Sequence, residues 1–173
     1  QPQNLVIRQA AEDAFKEIFG CYPQIEIIPE PVAASLYWIY NNQKQYQGKK
    51  TTLVFDLGGG TFDLSLVESV IYHNRISCEV IAVDGSDQLG GDDIDTILYN
   101  YIIGNNGIDI EKLCEKERIR LRCQIMDSVI AAKCELSNSH QSNIVLEIPS
   151  QLGIPNLDCV IERDEFESLL YSD

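Results

Sequence analysis

Three consecutive glycines between two aspartates form the segment of this sequence best suited to chemistry. The run Asp56-Leu57-Gly58-Gly59-Gly60-Thr61-Phe62-Asp63 separates two stretches rich in β-branched and apolar residues, which predicts a β-hairpin with a glycine turn. Because glycine has no side chain, the backbone N–H groups of Gly58, Gly59 and Gly60 can approach an anion closely. The turn therefore predicts a phosphate-binding loop.

The residues that flank the turn extend this prediction. Asp56 and Asp63 would repel a phosphate directly, so their presence indicates a cation between them and the phosphate, and hydrated Mg²⁺ is the preferred partner of carboxylates. Thr61 adds a hydroxyl that can donate to a phosphate oxygen. The segment is not a Walker loop, because no Gly-Lys-Ser/Thr follows and the next element is a strand.

The segments around the hairpin alternate between helical and extended patterns. Apolar spacing of three and four residues predicts helices over 4–19, 31–41, about 91–103, most of 110–137, and from 163 to the C-terminus. Short runs rich in β-branched residues predict strands over 25–28, 51–57, 61–68, 76–83, 144–148 and 159–161. The mixture predicts an α/β fold.

Composition excludes several classes of protein. Of 173 residues, 45% are hydrophobic and 23% charged, which is typical of a soluble globular protein. A net charge of −14 disfavours nucleic acid, whereas backbone amides and a cation can neutralise a nucleotide locally. No apolar run approaches the roughly 20 residues of a membrane span. Because the N-terminus already has a helical pattern and no leader, we expect the chain to begin within a domain.

Six cysteines and two histidines are scattered without the close pairs that a zinc site requires. Several cysteines stand at apolar positions, so we expect them to be buried. Together these features favour a reducing compartment, the cytoplasm, with an organelle matrix or the endoplasmic reticulum lumen as alternatives. The basic residues between Lys112 and Arg122 alternate with glutamates, which is typical of a solvated helix face.

Three motifs in sequence order carry a family resemblance. Pro-Glu-Pro-Val-Ala-Ala-Ser at 29–35, the glycine hairpin at 56–63 and Leu-Gly-Gly-Asp-Asp-Ile-Asp at 89–95 together resemble the seventy-kilodalton heat-shock (DnaK-type) chaperone family. The resemblance continues through Ala-Ala-Lys-Cys-Glu-Leu-Ser at 131–137. It implies an α/β, actin-like ATPase fold (ribonuclease H-like) that is partial and carries an outer α+β subdomain.

The resemblance also implies a division of the chain. Residues 1–48 resemble the late part of the first lobe of the family's ATPase domain, 49–89 the beginning of the base of the second lobe, and 90–173 its outer subdomain. The first phosphate loop, an upstream lysine, a late adenosine motif and the peptide-binding domain have no counterpart here. We therefore expect the chain alone to bind ATP weakly and to hydrolyse little or none.

Site residues follow from the matching positions. The resemblance places Glu30 near Mg²⁺ and the γ-phosphate, gives Asp56 the positioning of metal-bound or attacking water, and adds Asp63 to the metal shell. Gly58, Gly59 and Gly60 match the phosphate-cradling backbone, and Thr61 matches a donor to the γ-phosphate. Such a division of roles suits phosphoryl transfer, in which catalysis is mostly positioning and charge neutralisation.

A second group of residues is matched to the nucleoside. Gly90 and Gly91 correspond to the edge of the cleft near ribose and phosphate, and Lys133 and Ser137 to residues that flank adenine and ribose. Asp92 and Asp93, which follow the two glycines, are expected to cap a helix.

Two positions depart from the family pattern. Cys134 replaces an arginine that stacks on adenine in many members, and Ile130 replaces a common glutamate that contacts ribose. Both changes remove polar contacts to adenosine, so they bear on affinity for the nucleotide.

The leading hypothesis is a molecular chaperone that uses ATP/ADP and Mg²⁺. The resemblance implies unfolded client peptides bound through a missing domain, a J-domain co-chaperone and a nucleotide-exchange factor as partners. Two alternatives stay open. One is another actin-like ATPase such as a sugar kinase, and the other is a nucleotide-binding or interaction module that does not hydrolyse ATP.

Overall fold

A computed structural model describes residues 2–42, 48–72 and 75–171, and the chain divides into two compact units. The first unit comprises residues 1–56 and 63–85, and the second comprises 57–62 and 86–173. The glycine turn thus belongs to the second unit, although the strands that enter and leave it belong mainly to the first.

The first unit contains two helices and a three-stranded sheet of order β1-β2-β3. Its elements are α1 (Pro2–Phe19), α2 (Glu30–Asn41), β1 (Gly48–Leu57), β2 (Phe62–Tyr72) and β3 (Arg75–Ser86). Helix α1 ends at Gly20, whose φ of +72° lies in the left-handed region that glycine adopts without strain. The two predicted helices and the three predicted strands of this unit are confirmed, with strands longer than expected.

One predicted strand is wrong. Residues 25–28 have apolar side chains suited to a strand, but the structure assigns them to no strand or helix. A strand is defined by hydrogen bonds to a partner strand. The sheet of this unit consists of β1, β2 and β3 in the part of the chain that the structure describes, and 25–28 does not join it.

The second unit places three helices around a two-stranded antiparallel sheet. Its elements are α3 (Gly91–Asn105), α4 (Glu115–Leu136), β4 (Gln141–Leu146), a short 3₁₀ turn (Ser150–Leu152), β5 (Leu157–Glu162) and α5 (Arg163–Leu170). In the sheet, Ile144 is paired with Cys159 and Leu146 with Leu157.

Helix α4 begins later than predicted. The pattern indicated helix from residue 110, but α4 starts at Glu115. The preceding residues form turns: the Asp109 carboxylate accepts a hydrogen bond from the Glu111 N–H at 3.1 Å, and the Leu113 N–H donates to the Ile110 carbonyl. Such local side-chain bonds compete with helix formation, so apolar periodicity overestimated the helix.

The core of the second unit lies between α4, α3 and the sheet. The spacing of apolar residues along α4 correctly predicted its buried face, formed by Leu121, Ile125, Val129, Ala132 and Leu136. The same cluster includes residues from every other element of the unit, such as Leu98, Ile102, Ile144, Leu157, Ile161 and Phe166. This core fixes the ends of α3 and α4, where the candidate site lies.

The expectation of buried cysteines is mostly wrong. All six thiols are free; Cys78 and Cys159 are half-buried, and the others are exposed. Cys123 and Cys134 are exposed because they do not belong to the buried face of α4. Burial raises the pKa of the Cys159 thiol, which lowers its reactivity at neutral pH.

No helix within residues 2–42, 48–72 and 75–171 is both long and apolar enough to cross a membrane.

Candidate functional site

The glycine turn is closed by its own backbone. The Gly58 N–H donates to the Thr61 carbonyl at 2.8 Å, which folds the chain tightly across Gly59 and Gly60. A Cβ atom at Gly60 would meet no heavy atom within 4 Å. Packing therefore does not require glycine at this position, whereas close approach of a ligand to the backbone would explain it.

The turn is held by the N-terminus of α3. The Gly58 carbonyl accepts the Gly91 N–H at 2.9 Å, and the Gly59 carbonyl accepts the Asp92 N–H at 2.7 Å. The first N–H groups of a helix have no partner within the helix. Here they bind the turn, so the position of the turn is fixed relative to α3.

Gly90 is buried against this junction. A Cβ atom there would lie 2.2 Å from the Gly59 oxygen and 2.7 Å from the Gly60 carbonyl carbon, so only glycine fits without movement of the backbone. The Gly90 N–H donates to the Asp93 carboxylate at 2.8 Å. The prediction that Asp93 caps the helix is confirmed.

Lys133 connects the end of α4 to the start of α3. Its Nζ lies 2.6 Å from Asp95 Oδ1 and donates to the Gly91 carbonyl at 3.2 Å. The side chains of Lys133 and Asp95 are 20% and 9% exposed, so water screens this ion pair weakly.

A cavity of about 420 Å³ opens beside these residues. Its volume lies within the range of small-molecule sites, and its apolar walls with a few polar groups match their usual composition. The hairpin, α3, the end of α4 and α5 all contribute to the wall, through Leu57, Gly58, Gly91, Ile94, Lys133, Cys134, Leu136, Ser137, Arg163, Phe166, Glu167 and Leu170.

The structure brings most of the predicted nucleotide residues together within the second unit. Gly58, Gly91, Lys133 and Ser137 line the cavity. Gly59 and Gly60 form the junction with Gly90, which itself does not line the cavity. The Thr61 carbonyl closes the turn.

The three predicted acidic residues belong to the first unit. Glu30 is the exposed first residue of α2, Asp56 is half-buried near the end of β1, and Asp63 is exposed near the start of β2. Their roles at a metal ion and in catalysis stay predictions. Within residues 2–42, 48–72 and 75–171, no three His, Cys, Asp or Glu side chains gather as a group that could hold a metal ion.

Sequence reasoning missed Asp95 and the contribution of α5. Asp95 is the last residue of the motif at 89–95, and its place one helical turn after Gly91 could have indicated a common face. Helix α5 is fixed by Arg163, whose Nε donates to the Leu136 carbonyl at 2.7 Å. Nothing in the sequence pattern of α5 indicated that contact.

Comparison with known families decides the identity of this fold. The family model described as Hsp70 protein matches residues 4–172. The chain belongs to the Hsp70 family. Hsp70 proteins are heat-shock chaperones that bind ATP, so the site described above lies in a family that generally uses a nucleotide with Mg²⁺.

Membership in the Hsp70 family also bears on the fold. The helices and the two sheets agree with a part of the Hsp70 actin-like ATPase domain, and the α/β fold predicted from the sequence is confirmed. Interaction with clients and co-chaperones is a general property of the Hsp70 family.

Proposed function

We propose that the cavity of the second unit holds the adenosine part of ATP or ADP, and that the glycine turn binds its phosphates. One observation carries this proposal: two hydrogen bonds fix the turn to α3, so that Gly58 and Gly91 share a cavity wall with Lys133 and Ser137. A phosphate-binding loop and a nucleoside-sized cavity are thereby adjacent.

The polar groups of the wall suit a nucleoside. Lys133 supplies an ammonium and Ser137 a hydroxyl, one helical turn apart, while Ile94 and Phe166 offer apolar surface to a base. Adenine is recognised by apolar contact with a few polar contacts to orient it. The wall provides both.

The acidic residues would complete the phosphate end. Oxygen ligands are the ones that Mg²⁺ prefers, and it usually keeps several waters in proteins, so Asp56, Asp63 and Glu30 fit as partners of a hydrated ion. When bound, Mg²⁺ neutralises charge on the phosphates. We assign Asp56 to the orientation of the attacking water and Thr61 to hydrogen bonding with the γ-phosphate.

In the whole protein, ATP hydrolysis at this site would drive the binding and release of unfolded client peptides. A J-domain co-chaperone and a nucleotide-exchange factor are the partners this function requires. We propose that residues 1–48 form the late part of the first lobe, 49–89 the beginning of the base of the second, and 90–173 its outer subdomain.

The test is ATP turnover by the full-length protein that carries this sequence, with Asp56→Asn as the matched variant. The substitution removes a charge with little change of shape, so we expect turnover to fall by about 100-fold or more while nucleotide binding persists. Absence of nucleotide binding by the wild-type protein would refute the proposal. Stimulation by a sugar, instead of unfolded peptide, would favour the kinase alternative.

A module that binds nucleotide without hydrolysing it is the second candidate. Cys134 stands in the cavity wall, where the resemblance places an arginine in many family members. A thiol cannot stack on adenine as a guanidinium does. Binding of ATP without turnover by the wild-type protein would support this candidate.

A further inference from the structure

Asp95 lies directly behind the cavity wall. It is 6% exposed and is not among the residues that line the cavity, whereas its partner Lys133 is. The 2.6 Å contact between Asp95 Oδ1 and Lys133 Nζ therefore joins a buried carboxylate to a cation that a ligand can reach.

The geometry points to Asp95 as a positioning residue for nucleotide binding, one that holds the Lys133 ammonium at the cavity wall without touching the ligand itself. This inference rests on the proposed function of the cavity. A lysine side chain has a flexible four-carbon stem, so its ammonium would occupy many positions without an anchor. The Asp95 carboxylate and the Gly91 carbonyl restrict it to one.

The donors of the ammonium suit this role. An ammonium has three N–H groups, and the contacts with Asp95 and Gly91 use at most two of them. At least one N–H is left to meet an oxygen acceptor of a bound nucleotide. Because the ion pair is nearly buried, its orientation is maintained at moderate ionic strength.

A purely structural role for Asp95 is the alternative, since the same ion pair joins α3 to α4. The two roles differ in how the substitutions combine. If Asp95 acts through Lys133, its effect on nucleotide affinity disappears once the ammonium is removed. If Asp95 only stabilises the fold, its effect on affinity persists in that background.

The experiment measures ADP affinity in the full-length protein for the wild type, Asp95→Asn, Lys133→Met and the double variant. We expect each single variant to bind ADP about tenfold more weakly, as for loss of a hydrogen bond to a charged group. The double variant should bind as Lys133→Met does. Asp109→Asn, which removes an exposed carboxylate 2.9 Å from Lys112, should bind as the wild type does.

The outcomes separate the two proposals. If the wild type binds no ADP, the proposed function fails. If the wild type binds ADP but Asp95→Asn binds it equally well, or if the two losses multiply in the double variant, the positioning role is overturned.

Should Asp95→Asn not fold, the wild-type protein still decides the positioning role. The ¹⁵N resonance of the Lys133 ammonium should shift when ADP is added, while that of Lys112 stays unchanged. A Lys133 resonance indifferent to bound ADP would overturn the inference.

Discussion

At the scale of single residues, two glycines of the site are glycines for different physical reasons. Gly90 has no room for a side chain, because a Cβ atom would lie 2.2 Å from the Gly59 oxygen. Gly60 has open space around the same position, so a ligand, not the protein, would explain its lack of a side chain. The motif predicted both glycines, and only the structure separates a packing requirement from a binding one.

Substitution of Gly90 by alanine tests the packing requirement. The clash is with backbone atoms, which cannot move aside as a flexible side chain can, so we expect Gly90→Ala to lower the free energy of unfolding by about 1–3 kcal/mol. ADP affinity should fall with it, because the junction of the turn with α3 is disturbed. Denaturant unfolding and ADP titration of the full-length protein measure both effects.

Gly104→Ala is the matched control. Gly104 lies in α3 and has no heavy atom within 4 Å of its Cβ position, so alanine there should leave stability unchanged or raise it by up to about 1 kcal/mol. Equal stability of the two variants would contradict the account of the junction.

Asp95 shows where prediction from residues stopped. Lys133 and Ser137 were identified because they match a motif, but the partner of Lys133 belongs to another helix. That pairing depends on how α3 packs against α4, which the spacing of residues within either helix does not determine.

At the scale of elements, α4 was predicted best because its apolar residues recur every three or four positions along a long helix. The same method failed for 25–28, where a strand requires a partner, and for 110–114, where local hydrogen bonds form turns. Periodicity in α1 correctly predicted a helix, yet its apolar residues Ile18 and Phe19 are 73% and 62% exposed. Periodicity thus identifies a helix without showing what covers its face.

The two sides of α4 provide a matched pair of substitutions. Ile125 is fully buried and Ile119 is 56% exposed. We expect Ile125→Ala to lower the free energy of unfolding by about 2–5 kcal/mol, because it leaves a cavity in the core. Ile119→Ala should change it by less than about 0.5 kcal/mol. Similar losses in chemical denaturation would show that the buried face is assigned wrongly.

At the scale of the whole molecule, a chain with a net charge of −14 is proposed to bind a polyphosphate anion. Backbone N–H groups at the glycine turn, the ammonium of Lys133 and a hydrated Mg²⁺ would offset the repulsion locally. Motifs in the sequence predicted the turn, α3 and α4 as parts of the site. The share of α5 in the cavity could not be predicted, because it depends on the packing that brings Arg163 to the end of α4.

The central claim is that the nucleotide occupies the cavity beside the glycine turn, and cysteine alkylation tests it most directly. Cys134 and Cys123 are exposed thiols on the same helix, but only Cys134 lines the cavity. The measurement follows the alkylation rate of each thiol by mass spectrometry in the full-length protein, with and without MgADP.

At a MgADP concentration 100 times the dissociation constant, a nucleotide that covers Cys134 should slow its alkylation about 100-fold by mass action. Alkylation of Cys123 should proceed at its original rate. If MgADP binds and Cys134 still reacts as fast as without it, the nucleotide lies elsewhere and the assignment of the cavity is wrong.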